Sequence, residues 1–107
     1  MFAVELAFTP APERLAARPA HRETLARLHR DGHLAAAGPW ADDSGALLLF
    51  TVDRARLDEI LREDPYYHRT PGVEVRSVRE WTPVVGPAPI SPAPLPDAGV
   101  PSPPTPM

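Results

Sequence analysis

The chain has 107 residues, no cysteine and a formal net charge of −3 at pH 7, which together predict one small domain without disulfides or a thiolate nucleophile. The slight acidity argues against partners that need a basic surface, such as nucleic acid or an anionic membrane. No apolar run approaches the length of a membrane span, and the first residues lack the basic segment of a signal peptide, so we expect a cytoplasmic protein.

The first predicted element is a β-strand, because large apolar side chains alternate with small or charged ones from residue 2 to residue 8. A helix follows, most clearly over residues 19–31, with Pro19 in its first turn, where a missing N–H costs nothing. The helical period places one set of residues on the buried face: His21, Leu25, Leu28 and Gly32. Arg22 falls on the side predicted to face away, and Asp31-Gly32 is a typical helix stop.

A β-hairpin is predicted in the middle of the chain. Residues 33–40 are mostly small and end at Gly38-Pro39, which favours a short strand over a helix. Residues 41–45 are polar turn material, and residues 46–52 form a continuous apolar run between turns, as expected of a central strand. Strand, tight turn and strand together indicate a hairpin.

A second helix is predicted over residues 54–63, with Asp53 as its N-cap. Its apolar stripe is formed by three residues, Leu57, Ile60 and Leu61. Asp64 continues that stripe one turn further, and Pro65 ends the helix because it disfavours helical geometry at the residue before it. The last strand is predicted over residues 73–81, with Arg79 on the same face as Val73, Val75 and Trp81.

The predicted order β-α-β-β-α-β indicates a ferredoxin-like α+β fold, with an antiparallel four-stranded sheet and both helices on one face. One face of that sheet is left bare in a small domain, so we expect a homodimer. The domain is predicted to occupy residues 1–85. Residues 86–107 contain nine of the sixteen prolines, and their low apolar content predicts a disordered proline-rich tail.

Two ionisable residues, His21 and Asp64, are predicted to point inward from opposite helices. Inward ionisable groups are costly unless they are paired, and a histidine–carboxylate pair would satisfy both. Such a pair also holds the imidazole in one tautomer, as a general acid or base near neutral pH requires. The same residues allow a second interpretation, in which Asp64 caps the turn that follows Pro65.

Other side chains have competing interpretations. Arg18 either holds an anionic substrate or pairs with a surface carboxylate, and Tyr66 either lines a pocket or belongs to the core. His29 and His33 have metal-ligand spacing, but the glycine between them breaks the helix, so we predict no metal site. His68 is expected in a loop. The two tryptophans, Trp40 and Trp81, are expected in the core or in a dimer contact.

Several short segments, in their order and spacing, resemble the YCII-related (YciI-like) domain family. These segments are Arg18-Pro19-Ala20-His21, then Leu25, Leu28 and Gly32, then Ala37-Gly38-Pro39, Gly45, Asp64-Pro65-Tyr66 and the closing strand from Val75 to Trp81. The resemblance covers nearly all of residues 1–83. It implies a ferredoxin-like dimer related to the dimeric α/β barrels, with a His–Asp pair proposed as catalytic that falls on His21 and Asp64.

The resemblance also implies a class of chemistry. One branch of the family removes chloride from chlorinated hydroxyquinols, and related folds include muconolactone isomerases and cofactor-free monooxygenases. We therefore predict a small-molecule enzyme in which His21 and Asp64 perform acid/base chemistry of the elimination, isomerisation or lyase type, without cofactor or metal. The expected substrate is a small cyclic or carboxylate-bearing metabolite, bound by Arg18, Tyr66 and Pro39.

The alternative is a non-catalytic dimeric module that binds a ligand or regulates another protein. In that case His21 and Asp64 would only satisfy one another. A hydrogen bond between them that opens on a concave cavity favours the enzyme, whereas a sealed contact favours the module.

Overall fold

In the computed structural model, which describes residues 1–86, the two predicted helices and four predicted strands follow the predicted order, and one short helix is added. They are β1 (Phe2–Phe8), α1 (Pro12–Arg30), β2 (Leu34–Pro39), β3 (Gly45–Phe50), α2 (Arg54–Glu63), α3 (Pro65–His68) and β4 (Val73–Glu80). The sheet has the order β2-β3-β1-β4, and all neighbouring strands are antiparallel. This is the predicted ferredoxin-like α+β arrangement.

Most of the predicted proline-rich tail, residues 87–107, lies outside the described residues. The boundary after residue 85 therefore stays a prediction. Within residues 1–86, no helix is long and apolar enough to cross a membrane.

The core lies between one face of the sheet and the helices. The register of β1 and β3 places Val4 opposite Leu48 and Leu6 opposite Ala46, and all four side chains are buried. The two longer helices add further buried residues to the same cluster: Leu28, Leu57, Ile60 and Leu61. Because these residues form one cluster, both helices cover the same face of the sheet. The opposite face, which includes Leu47 and Leu49, carries no helix.

The first helix begins at Pro12, so the prediction that Pro19 stands in its first turn is wrong. Pro12 takes the position at the helix start, and Pro19 lies inside the helix, where its missing N–H removes one backbone hydrogen bond. Arg14 before this proline and His21 after it are both buried, so the helix packs against the rest of the domain on both sides of Pro19. The predicted helix stop is confirmed, with Gly32 in the left-handed region at a φ of 85°.

A β-bulge at Arg76 changes the expected alternation of β4, because the pairing of β4 with β1 skips this residue. Beyond the bulge the two faces of the strand exchange places. Val78 therefore packs against the core together with Val73 and Val75, and Arg79 is exposed on the other side. The prediction that Arg79 shares a face with the valines is wrong, since a strict period of two assumes an unbroken ladder.

The two tryptophans are not core residues. Trp40 and Trp81 are each 44% exposed, and each follows the last residue of an edge strand. A dimer contact at these residues stays a prediction.

Tyr67 carries a buried hydroxyl without a hydrogen-bond partner among residues 1–86. The side chain is 1% exposed, and burial raises the pKa of its phenol. Because an unpaired buried hydroxyl is costly, Tyr67→Phe is expected to raise the free energy of unfolding by about 1 kcal/mol, measured by denaturant titration. Tyr67→Leu, which also removes the ring, should lower it. A loss of stability in Tyr67→Phe would show that the hydroxyl is paired in solution.

Candidate active site

His21 and Asp64 form a buried hydrogen-bonded pair between α1 and the junction of α2 with α3. His21 Nδ1 lies 2.8 Å from Asp64 Oδ2, and the two side chains are 7% and 11% exposed. The other carboxylate oxygen, Asp64 Oδ1, accepts a hydrogen bond from the Tyr66 N–H at 3.0 Å. Asp64 thus contacts His21 and is the N-cap of α3 at once, so capping does not prevent the pairing.

The hydrogen bonds of Asp64 keep its carboxylate charged. Burial acts to raise the pKa of this carboxyl, but the hydrogen bonds from His21 and from the Tyr66 N–H outweigh burial, and the pKa lies below its ordinary value. A charged acceptor at Oδ2 requires a proton on His21 Nδ1. The neutral imidazole then has Nε2 as its free proton acceptor.

Two aromatic rings hold the imidazole plane. The Tyr66 ring is stacked on His21 with 3.9 Å between ring centroids and 8° between planes. Tyr67 meets the same imidazole edge-on, at 5.2 Å and 85°. With Asp64 fixing one ring nitrogen and these rings fixing the plane, His21 has one orientation, which is the preorganisation that proton transfer needs.

A cleft of about 520 Å³ opens between α1 and the edge strand β2. Its floor comes from the apolar side chains of β1 and β3, and its wall on the β2 side is made of small residues, from Ala35 to Pro39. A second cleft, of about 320 Å³, lies between α1 and the α2–α3 junction. His21 borders both clefts, and Asp64 borders the second.

His21 Nε2 is the ring nitrogen that this arrangement leaves available. It makes no hydrogen bond with residues 1–86 and is not among the side-chain atoms that are fully buried without a partner. Asp64 borders only the second cleft, whereas His21 also borders the larger one. The pair is therefore not a sealed contact.

The structure brings four of the five predicted site residues to the larger cleft: Arg18, His21, Pro39 and Tyr66. The fifth, Asp64, lies behind His21. Tyr66 is 2% exposed and belongs to both the core and the cleft wall, so its two interpretations are compatible. Arg18 is 32% exposed and lies 3.9 Å from the Asp43 carboxylate, so it pairs loosely with a carboxylate while facing the cleft.

Three charged residues at or beside the cleft were not apparent in the sequence. Arg22 was expected to face away from the site, but it borders the cleft because the edge strand leaves that side of α1 open. Arg14 is 3% exposed and pairs with Asp43, which also borders the cleft. The seven-residue spacing of Arg14, His21 and Leu28 is a signal for the burial of Arg14, whereas nothing local marks Asp43.

The remaining histidines have other roles. His29 Nδ1 lies 2.8 Å from the Leu34 carbonyl oxygen, and this residue borders the larger cleft. His33 borders the second cleft, and His68 is exposed in α3 rather than in a loop. In the described part of the chain, no group of three or more histidine, cysteine or acidic residues could hold a metal ion.

Asp64 is expected to make stability depend on pH. Its carboxyl pKa is lowered in the folded chain, so the unfolded chain takes up the proton first, near an ordinary carboxyl pKa of about 3.9. The stabilisation is complete above that value and is lost as the pH falls through the lower pKa of the folded state. Denaturant unfolding between neutral pH and pH 2 should show this loss in the wild type and a smaller one in Asp64→Asn. Equal pH dependence in the two proteins would contradict the expectation.

Comparison with protein-family models matches residues 1–82 to the model described as the YCII-related domain. The matched range includes all seven elements and both members of the His21–Asp64 pair. Comparison with the curated proteins gives no match, and neither does comparison with the solved structures.

Proposed function

Since the chain belongs to the YCII-related domain family, we propose that it is a small-molecule enzyme that uses His21 and Asp64 for acid/base chemistry. One observation carries the proposal. His21 is hydrogen-bonded to Asp64 through Nδ1 at 2.8 Å, and the His21 side chain borders a cleft large enough for a small ligand. A histidine with this arrangement can exchange a proton with a bound molecule.

In the proposed reaction, His21 Nε2 removes a proton from a substrate carbon next to a carbonyl or other electron-withdrawing group. The imidazolium that forms is stabilised by the Asp64 carboxylate, which remains charged. The electron pair left on the substrate then shifts a double bond or expels a leaving group. His21 returns the proton to another substrate atom or to that leaving group, which gives isomerisation, elimination or lyase-type cleavage.

The charge and shape of the cleft support an anionic substrate with an apolar body. Arg18 and Arg22 stand one helical turn apart on α1, and both border the cleft. The floor is apolar, with Leu6, Ala46 and Leu48. A small cyclic or carboxylate-bearing metabolite fits these walls, because its acid group can meet the arginines while its body rests on the floor. Proton transfer of this kind needs no cofactor.

We also propose that the protein acts as a cytoplasmic homodimer. The sheet face opposite the helices carries Leu47 and Leu49, which are half-buried in one chain. A second copy would cover this face in the symmetric way that most homodimers use.

Proton NMR in D₂O tests the enzyme proposal with a panel of small cyclic and carboxylate-bearing compounds. Wild-type protein should replace a carbon-bound proton by deuterium, or form a new product, with at least one compound. His21→Ala should not. The alternative function, a ligand-binding or regulatory module, predicts that compounds bind in the cleft without exchange or turnover. Exchange that survives in His21→Ala would exclude His21 as the base.

A further inference from the structure

Arg14 is a buried cation outside the His21–Asp64 pair. It is 3% exposed, its Nε donates to the Thr9 carbonyl oxygen at 2.9 Å, and its guanidinium carbon lies 4.5 Å from the centroid of the Phe8 ring. One of its terminal nitrogens, Nη1, is buried without a partner among residues 1–86. Burying a cation and leaving a donor unpaired is costly, and apolar residues often serve a core better.

The partner of Arg14 is Asp43, in the turn between β2 and β3. Arg14 Nη2 lies 2.9 Å from Asp43 Oδ2, and this bond holds the pKa of the Asp43 carboxyl below its ordinary value. Asp43 has a φ of 59°, in the left-handed region that residues other than glycine seldom adopt. A strained turn residue thus presents its carboxylate to a buried arginine.

Asp43 is also the one carboxylate that borders the larger cleft among residues 1–86, and Arg18 is its second neighbour. The distance from Arg18 Nη1 to Asp43 Oδ1 is 3.9 Å, 1.0 Å longer than the bond to Arg14. Asp43 is 42% exposed, so without Arg14 its carboxylate would be free to turn to Arg18. It would then occupy the cation that an anionic ligand needs.

We propose that Arg14 is a positioning residue that keeps the cleft receptive to anions, because it holds Asp43 away from Arg18. The inference rests on the anionic ligand of the proposed function, and it concerns binding rather than turnover. Arg14 neutralises Asp43 from the buried side of the turn. The charges of Arg18 and Arg22 at the cleft can then attract an anionic ligand. The ligand class is a small organic monoanion with an apolar body.

Benzoate is a suitable probe, and benzamide is its neutral counterpart of nearly equal shape. Binding of both to the full chain is followed by NMR chemical shifts of the residues that border the cleft. Wild-type protein should bind benzoate more tightly than benzamide. Arg18→Met should reduce this preference, whereas Arg54→Met, in the exposed ion pair of Arg54 with Asp58, should leave it unchanged.

The decisive comparison is a double-mutant cycle of Arg14 and Asp43. Arg14→Met should weaken benzoate binding by about fivefold. This is the largest effect expected if Asp43 forms an exposed ion pair with Arg18 that benzoate must displace. Benzamide binding should not change. Asp43→Asn tolerates the left-handed turn and should leave benzoate binding equal or slightly tighter. Adding Asp43→Asn to Arg14→Met should restore benzoate binding to that of Asp43→Asn alone.

A purely structural Arg14 would give the opposite pattern, in which Arg14→Met weakens both probes and Asp43→Asn rescues neither. That result overturns the inference, as does wild-type protein that binds benzoate no better than benzamide. If Arg14→Met does not fold, Arg14→Gln takes its place, because the amide can still donate a hydrogen bond in the buried site but has no charge to hold Asp43, and Asp43→Asn should again rescue. Absence of turnover with every compound would refute the proposed function and leave this binding pattern intact.

Discussion

His21→Asn is expected to lower turnover of a substrate by about 10²- to 10⁴-fold, the contribution usual for general acid/base catalysis. Asparagine is of similar size and can still donate a hydrogen bond to Asp64, so the buried carboxylate keeps a partner. The asparagine side chain cannot, however, accept a proton at the position of Nε2. The loss should therefore fall on kcat, measured by product formation or by deuterium exchange, while KM changes little.

His29→Asn is the matched control for this experiment. His29 borders the same cleft, but its Nδ1 is bonded to the Leu34 carbonyl, and no carboxylate orients it. The same substitution there should leave turnover within a few-fold of wild type. Equal losses in the two variants would show that the cleft needs histidine for its shape, and turnover that survives in His21→Asn would exclude His21 as the catalytic base.

Asp64→Asn separates the two tasks of the carboxylate. Asparagine keeps an oxygen that can cap Tyr66 N–H, so α3 is expected to form. The substitution removes the negative charge beside Nδ1. The imidazolium then loses its stabilising partner, and the neutral imidazole loses its fixed tautomer. Turnover should fall nearly as far as in His21→Asn, with folding retained by circular dichroism. Full activity in Asp64→Asn would assign Asp64 to capping alone.

The His21–Asp64 pair was predictable because each residue follows from local periodicity. His21 continues the buried stripe that ends in Leu28, and Asp64 continues the stripe of α2. A helical period needs only a few neighbouring residues. The placement of His21 on the buried face was therefore correct even though the predicted start of α1 was wrong. The partner of each residue then follows from the cost of burying an unpaired charge.

The Arg14–Asp43 pair shows where local reasoning ends. Its members are 29 positions apart, and they meet because the hairpin turn folds back onto the first turns of α1. No period connects a turn residue to a helix residue. The β4 bulge at Arg76 has a similar cause, since it depends on the register with β1 rather than on the sequence of β4 itself. Contacts between elements that are distant in the sequence decide both features.

Gly45→Ala is expected to lower the free energy of unfolding by about 3 kcal/mol or more, at the upper end of the cost of overpacking. Gly45 begins β3 and is buried. A Cβ atom at this position would overlap the carbonyl oxygen of Leu6 and lie 3.2 Å from Trp40 Cδ1. The Leu6 oxygen belongs to the backbone of the central strand, so it cannot move aside without disturbing the β1–β3 ladder.

Gly38→Ala is the matched control, because a Cβ on Gly38 would meet no atom within 4 Å. Gly38 lies in the edge strand β2, where the methyl group reduces the freedom of the unfolded chain at no steric cost, so stability should be unchanged or slightly higher. Denaturant titration of both variants gives the comparison. Leu6 and Ala46 form part of the cleft floor, and they pair beside Gly45. A stable Gly45→Ala protein would therefore mean that β1 and β3 can separate, and that the floor beneath the ligand is not rigid.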